Sequence, residues 1–183
     1  MAIRAEGLPK SRIPSGDPST LPKPIRYPLP SRPLDRTDRL LLAHLQNDAR
    51  LSNKELAARL GLAPSTTLER TRRLEREGVL AGYHAAVDRA KVGTPLQALV
   101  AVQLRRHHGP LVEAFEAHAL ALPEVVQLFH TTGTSDFLIH VAVEDPEHLR
   151  RLALEAFTSR DEVSRIETSL LYEHRRSPAP LPE

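Results

Sequence analysis

The chain has 183 residues, 40% of them hydrophobic and 26% charged, with a formal net charge of +2. It has no cysteine, which excludes disulfide scaffolds, thiolate metal sites, iron–sulfur clusters and cysteine nucleophiles. No uncharged apolar run approaches the ~20 residues that span a bilayer, and "MAIRAEGLPKSRIPSGDP" lacks the apolar stretch of a secretory signal, so a soluble cytoplasmic protein is expected.

Residues 1–33 carry a net +4, residues 34–91 a net +3 and residues 92–183 a net −5. A basic first half joined to an acidic second half predicts a polyanion-binding unit followed by a unit with another task. Half of the 16 prolines fall in residues 1–33, where "STLPKPIRYPLPSRP" shows no apolar period. That stretch is expected to be a disordered basic arm, either touching DNA phosphates or inert. The tail 177–183 reads the same way.

From Leu34 the pattern turns helical. Leu34, Leu41, Leu42 and Leu45 share one stripe, Asp35 is a good N-cap, and Asp38 favours the positive helix start. In "LSNKELAARLG", Ser52 and Glu55 match the S-x-x-E capping box, and Gly61 stands where a left-handed C-cap is wanted. A third helix opens at Pro64, which suits a first helical position. Leu68, Thr71 and Leu74 are expected to face inward, with Ser65, Thr66, Thr67, Arg70 and Arg73 on the other side. Two short helices across a tight turn, the second beginning with small hydroxyl residues and continuing with arginines, predict a helix-turn-helix. Short hydroxyl groups fit a DNA groove without steric cost, and arginines pair with phosphates or guanine edges. The expected groove contacts with double-stranded DNA are therefore Ser65, Thr66, Thr67, Arg70 and Arg73, with Lys54 and Arg72 on phosphates.

After Gly78, "VLAGYHAAV" reads as a linking strand and "DRAKVGTP" as a loop. "LQALVAVQL" is a strand, and "GPLVEAFEAHALALP" a helix with Val112, Phe115, Ala119 and Leu122 on one face. "VVQLFHTT" and "FLIHVAV" are strands flanking a "GTSD" turn. "DPEHLRRLALEAF" is a helix capped by Asp145 that buries Leu149, Leu152, Ala153 and Ala156, and "VSRIETSLLYEHR" is the last strand. The order β-α-β-β-α-β predicts a ferredoxin-like sheet with both helices on one face. The fold class is α+β: a winged-type helix-turn-helix of three helices at 34–84, a linker at 85–95 and the sheet unit at 96–176. Val100, Val102, Leu138 and Val141 are too apolar for both sheet faces to be wet, which predicts dimerisation through the sheet.

Nine histidines invite a metal, but His107 and His108 are adjacent and no H-x-x-x-H spacing occurs; His130 and His140 lie on neighbouring strands where they can meet. No metal or cofactor is expected. Phosphate-loop, hydrolase-elbow and dinucleotide motifs are absent from the sequence. An RNA-recognition module needs aromatic residues on the central strands, and these strands offer only Phe137.

The run "LDRTDRLLLAHLQNDARLSNKELAARLGLAPSTTLERTRRLEREGVLAGY" resembles the DNA-binding half of the Lrp/AsnC (leucine-responsive, feast/famine) transcriptional regulators. The β-α-β-β-α-β unit resembles their effector and oligomerisation (RAM) domain, with "TGTSDF" in place of the family's Gly-x-x-Asp ligand loop. The resemblance implies a bacterial or archaeal, nucleoid-associated regulator whose dimers pair through their sheets and assemble into tetramers or octamers. It implies pseudo-palindromic operators and an amino acid, or related small molecule, as effector. Gly133, Thr134, Ser135 and Asp136 would line the effector pocket, Asp136 meeting an α-ammonium group. A plain hairpin, with glycine and aspartate as turn formers, is the other reading of that loop. Ala63 departs from the capping serine common in the family, and the proline-rich arm is not typical of it. The alternative of another class is an enzyme similar to the sirohaem decarboxylases, which resemble the same two-domain arrangement.

Overall fold

The computed structural model describes residues 33–106, 108–175 and 177. The expectations for the proline-rich arm and the terminal tail fall almost wholly outside these residues, as does His107. The described chain divides into two units, one built mainly from residues 33–87 and the other from 88–172.

In the first unit, α1 spans Arg36–Asn47, α2 Asn53–Leu60 and α3 Pro64–Arg76. The Asp38 amide donates to Asp35 Oδ1 at 2.8 Å and the Asp35 amide to Asp38 Oδ2 at 3.2 Å, so α1 opens with a reciprocal capping box. Ser52 and Glu55 do the same for α2: the Ser52 amide donates to Glu55 Oε2 at 2.8 Å and the Glu55 amide to Ser52 Oγ at 3.3 Å. Hydrogen bonds from Ser52 hold the Glu55 carboxyl below the usual range. Gly61 ends α2 at φ +65°, and a Cβ there would meet nothing within 4 Å. The glycine is thus needed for its left-handed backbone, not for space. Leu41, Leu42, Leu45, Leu56 and Leu74 form the core, edged by Leu34, Leu51, Leu60, Val79 and Leu80. Each fully buried leucine contributes about 2 kcal/mol of transfer free energy.

The expected linking strand does not form: residues 81–88 are exposed, and no described residue before Leu96 is in a strand. Alternation is not sufficient, because strand backbone needs a ladder partner for its donors and acceptors. Val79 and Leu80 turn into the core instead, and the Leu80 amide donates to the Leu74 carbonyl at 3.0 Å.

In the second unit, β1 (Leu96–Leu104), α4 (Gly109–Leu120), β2 (Val125–His130), β3 (Phe137–Val143), α5 (Pro146–Leu152) and β4 (Val163–Leu170) follow the expected order. The sheet is antiparallel with strand order β2-β3-β1-β4. α4 and α5 pack on one face through Phe115, Ala119, Leu149, Leu152, Ala156 and Phe157. Phe115 lies 5.0 Å from Phe137 and 6.3 Å from Phe157, ring centre to ring centre, at the middle of this core. α5 runs on into a wider π-helical turn, Ala153–Thr158, which buries the consecutive Ala156 and Phe157 and leaves Ala153 only half-buried.

The register shows which sheet face is covered. Val100 stands opposite Ile139, and Val102 opposite Phe137. With Val141 they are fully buried among the residues under the helices. Of the four apolar residues that argued against two wet faces, alternation leaves only Leu138 on the open face, opposite Ala101. Leu99 and Ala101 join it, flanked by Gln97, Gln103, Arg165 and Glu167.

Candidate functional site

α3 is held in place from two sides. Asn53 Nδ2 donates to the Pro64 carbonyl at 2.8 Å, fixing the turn between α2 and α3. On the opposite flank, Arg70 Nη1 lies 2.6 Å from Asp35 Oδ2 and 2.8 Å from Asp38 Oδ1, and Arg73 Nη2 lies 2.6 Å from Asp38 Oδ2. Asp38 is fully buried. Hydrogen bonds to Asp35 and then to Asp38 raise the Arg70 pKa above the ordinary guanidinium value.

This arrangement turns three of the expected groove contacts away from the exposed side of α3. At about 100° per residue, Thr67, Arg70, Thr71 and Leu74 occupy one arc of α3. Thr67 and Leu74 are fully buried, and the Thr67 hydroxyl donates to the Ala63 carbonyl at 3.2 Å. Thr67 therefore cannot reach DNA, and Arg70 and Arg73 are turned towards α1 by its carboxylates. Leu68, expected inside, is 37% exposed on the flank. It borders an open groove of about 320 Å³ with Leu45, Leu51, Leu56, Arg72 and Tyr83. The Tyr83 hydroxyl donates to Glu75 Oε1 at 3.0 Å, and local desolvation of the phenol oxygen, then Glu75, pushes its pKa up to about 12 although the ring is half-exposed.

Ser65, Thr66, Arg72 and, on α2, Lys54 are exposed, as their expected role requires. Ser65 and Arg72 share the arc opposite Thr67 with two residues that sequence reasoning passed over, Glu69 and Arg76, both exposed. The N-terminus of α3 has no side-chain cap, so its first backbone N–H groups are available to an anion.

In the second unit, "GTSD" closes the β2–β3 hairpin. The Thr131 amide donates to the Asp136 carbonyl at 2.8 Å, and the Thr131 hydroxyl to the Ser135 carbonyl at 2.7 Å. Asp136 is buried, and its Oδ2 accepts from the Leu104 amide at 2.7 Å, where the β1–β4 register shifts. Its carboxylate thus faces the sheet rather than an open pocket, whereas the resemblance sets it opposite an ammonium group. Thr134 and Ser135 line a small cleft of about 40 Å³ with Ala101, Gln103, Arg165 and Glu167; Gly133 does not line it.

His130 and His140 do not meet. His130 stands opposite Phe137 and stacks on it at 4.8 Å, whereas His140 stands opposite Gln127 with its Nε2 2.9 Å from Gln97 Oε1. Among the described residues no group of three His, Asp or Glu is placed to hold a metal ion. No helix among them is long and apolar enough to cross a membrane.

Comparison with known proteins decides which activity this arrangement serves. Residues 34–81 match the winged helix-turn-helix DNA-binding model, and residues 97–179 the Lrp/AsnC ligand binding domain model. The transcriptional regulator AldR of Mycolicibacterium smegmatis is 39% identical over 160 residues, 87% of this chain and 91% of AldR. The chain belongs to the Lrp/AsnC family of transcriptional regulators. The leucine-responsive regulatory protein of Salmonella typhimurium is 38% identical over 123 residues, 67% of this chain and 75% of its own length. A Neisseria meningitidis transcriptional regulator solved as its L-Met complex superposes with a TM-score of 0.74 at 31% identity, covering 82% of this chain and 97% of that one.

This Lrp/AsnC protein is accordingly a DNA-binding transcriptional regulator with a small-molecule effector unit, and its relatives give no support to the decarboxylase alternative. The α+β plan of helix-turn-helix and four-stranded antiparallel sheet is that of the solved family members. Asp35 and Asp38 carried the sequence signal for the missed scaffold, and their place at the start of α1 pointed to helix capping alone. The charges that meet Asp38 lie 32 and 35 residues further along the chain.

Proposed function

We propose that this regulator reads its operator with the outward arc of α3. Ser65, Thr66, Arg72 and Arg76 meet base edges and phosphates, Lys54 meets a phosphate, and Arg70 and Arg73 hold the helix in place. The carrying observation is the division of α3 into a buried arc with Thr67 and Leu74 and an exposed arc with Ser65 and Arg72. Short polar residues and guanidinium groups on an exposed helix face suit the major groove.

The effector is an amino acid, held where Thr134 and Ser135 meet Gln103 and Arg165 on the open side of the sheet. Arg165, 3.6 Å from Glu167 in the same cleft, suits a carboxylate and Glu167 an ammonium group, and the Neisseria relative was solved with L-Met. Apolar Leu99, Ala101 and Leu138 on the same side support pairing of two sheets in a homodimer that assembles further, acting on the nucleoid in the cytoplasm.

Salt titration of operator binding, with and without each amino acid, tests the reading. A dimer making about 6–10 phosphate contacts loses about 1,000- to 100,000-fold in affinity between 50 and 200 mM salt. A flat salt response, or no amino acid altering binding or assembly, removes the corresponding half of the proposal.

A further inference from the structure

We infer that Glu69 is a specificity-determining residue, its carboxylate accepting a hydrogen bond from the exocyclic amino group of a cytosine in the major groove. The inference rests on the reading of α3 just given and concerns what that helix selects.

Glu69 is exposed on the arc that also carries Ser65, Arg72 and Arg76, opposite buried Thr67 and Leu74. A negative charge at the centre of a surface that enters a polyanion is unfavourable unless something there donates to it. On an ordinary solvated helix the cation four residues on would neutralise it. Here that residue is Arg73, whose Nη2 is 2.6 Å from the buried Asp38 carboxylate. Among the described residues Glu69 takes part in no ion pair. Asp38 draws Arg73 away, and Arg72, the other same-face cation three residues on, forms no ion pair with Glu69 among the described residues, so the carboxylate faces whatever α3 meets.

Phosphates repel that carboxylate, so its partner must be a donor on the groove floor. The major groove offers only two, the amino groups of adenine and cytosine. Adenine sets its amino group beside the N7 acceptor, an arrangement that suits an amide side chain better than a carboxylate. Cytosine presents a donor without an acceptor on the same base, and its guanine partner offers acceptors to Arg72 or Arg76. Glu69 thus penalises every sequence that lacks cytosine at its position.

The test is selection from a randomised duplex pool with the full chain, comparing wild type, Glu69→Ala and Glu69→Gln. Wild type enriches cytosine at one position of each half-site. Glu69→Ala relaxes that position, losing a discrimination of about 5- to 150-fold, and binds random DNA more tightly. Glu69→Gln moves the preference at that position from cytosine to adenine. Because Glu69 is exposed, both variants keep the wild-type thermal midpoint. Base preferences unchanged in both variants, with DNA still bound, overturn this inference alone. A wild-type chain that retains no duplex overturns it together with the reading of α3.

Discussion

Arg73 Nη2 lies 2.6 Å from Asp38 Oδ2, and the carboxylate it meets is fully buried. Asp38 also accepts from the Asp35 amide and meets Arg70. One side chain thus caps α1 and fixes the rotation of α3 about its axis. That rotation decides which side chains point outward, so a buried charge sets an exposed face of α3 that it does not touch.

Removing that charge should loosen the first unit. Asp38→Ala leaves two guanidinium groups beside an empty carboxylate position and removes half of a capping box. Breaking a fully buried pair costs about 3–5 kcal/mol. Arg70 and Arg73 keep 25% and 18% of their side-chain exposure, so a loss of roughly 2–3 kcal/mol is expected after screening. Urea unfolding followed by helical circular dichroism measures it. A change below about 0.5 kcal/mol, typical of an indifferent surface site, would show that the triad does not hold α3.

Arg70→Ala and Arg72→Ala should separate scaffold from contact. Arg72 is exposed on the outward arc, so its loss lowers the slope of log affinity against log salt by about 1 and leaves stability unchanged. Arg70 is already neutralised by Asp35 and Asp38, so its loss lowers stability and leaves the slope unchanged. The opposite pattern would restore Arg70 to the groove.

The features legible in the sequence were those whose cause lies within a few residues. Asp35 and Asp38, Ser52 and Glu55, Gly61 and Asp145 each act on a neighbouring turn, and all do so in the structure. The alternation of β1 and the order of elements were local too. What failed depended on partners distant in sequence. Thr67, Arg70 and Arg73 read as outward because small and charged residues are usually solvated, yet α1 supplies the carboxylates that turn the arginines inward. Val100, Val102, Leu138 and Val141 argued that one face must be covered, but alternation gives two faces and does not say which one the helices cover. The segment after Gly78 lacked only a partner strand.

Gly61→Ala should destabilise by about 1 kcal/mol, because φ +65° is a left-handed conformation that a Cβ disfavours. Nothing lies within 4 Å of the added atom, so no clash adds to this. Gly61→Asn, which tolerates that conformation better, should lose less. The urea midpoints of the two variants check the order; an alanine variant as stable as wild type would mean the turn relaxes at no cost.

Tyr83 should titrate late. Local desolvation of the hydroxyl and the Glu75 carboxylate raise its phenol to about 12, above an ordinary value of about 10. A raised folded pKa favours the neutral form. Its stabilising contribution is therefore complete below about pH 10 and is lost as pH rises through about 12. The phenolate absorbance of wild type minus Tyr83→Phe follows this one group. A midpoint near 10 would mean that the contact with Glu75 does not persist in solution.

Asp136→Ala tests whether the loop carboxylate serves the sheet or the effector. Its Oδ2 accepts from the Leu104 amide at 2.7 Å, and Leu104 is buried. Without that acceptor a buried N–H is left unsatisfied, a penalty of about 1–3 kcal/mol. The second unit should therefore melt earlier, and the Leu104 amide should exchange its hydrogen faster than in wild type. Ser135→Ala leaves this bond intact and should act on effector binding alone, since Ser135 lines the cleft beside Arg165. If Asp136→Ala abolishes the amino-acid response while Leu104 exchange and the melting temperature stay at wild-type values, the carboxylate must turn outward to meet the effector. The bond to Leu104 would then be a resting contact that ligand breaks.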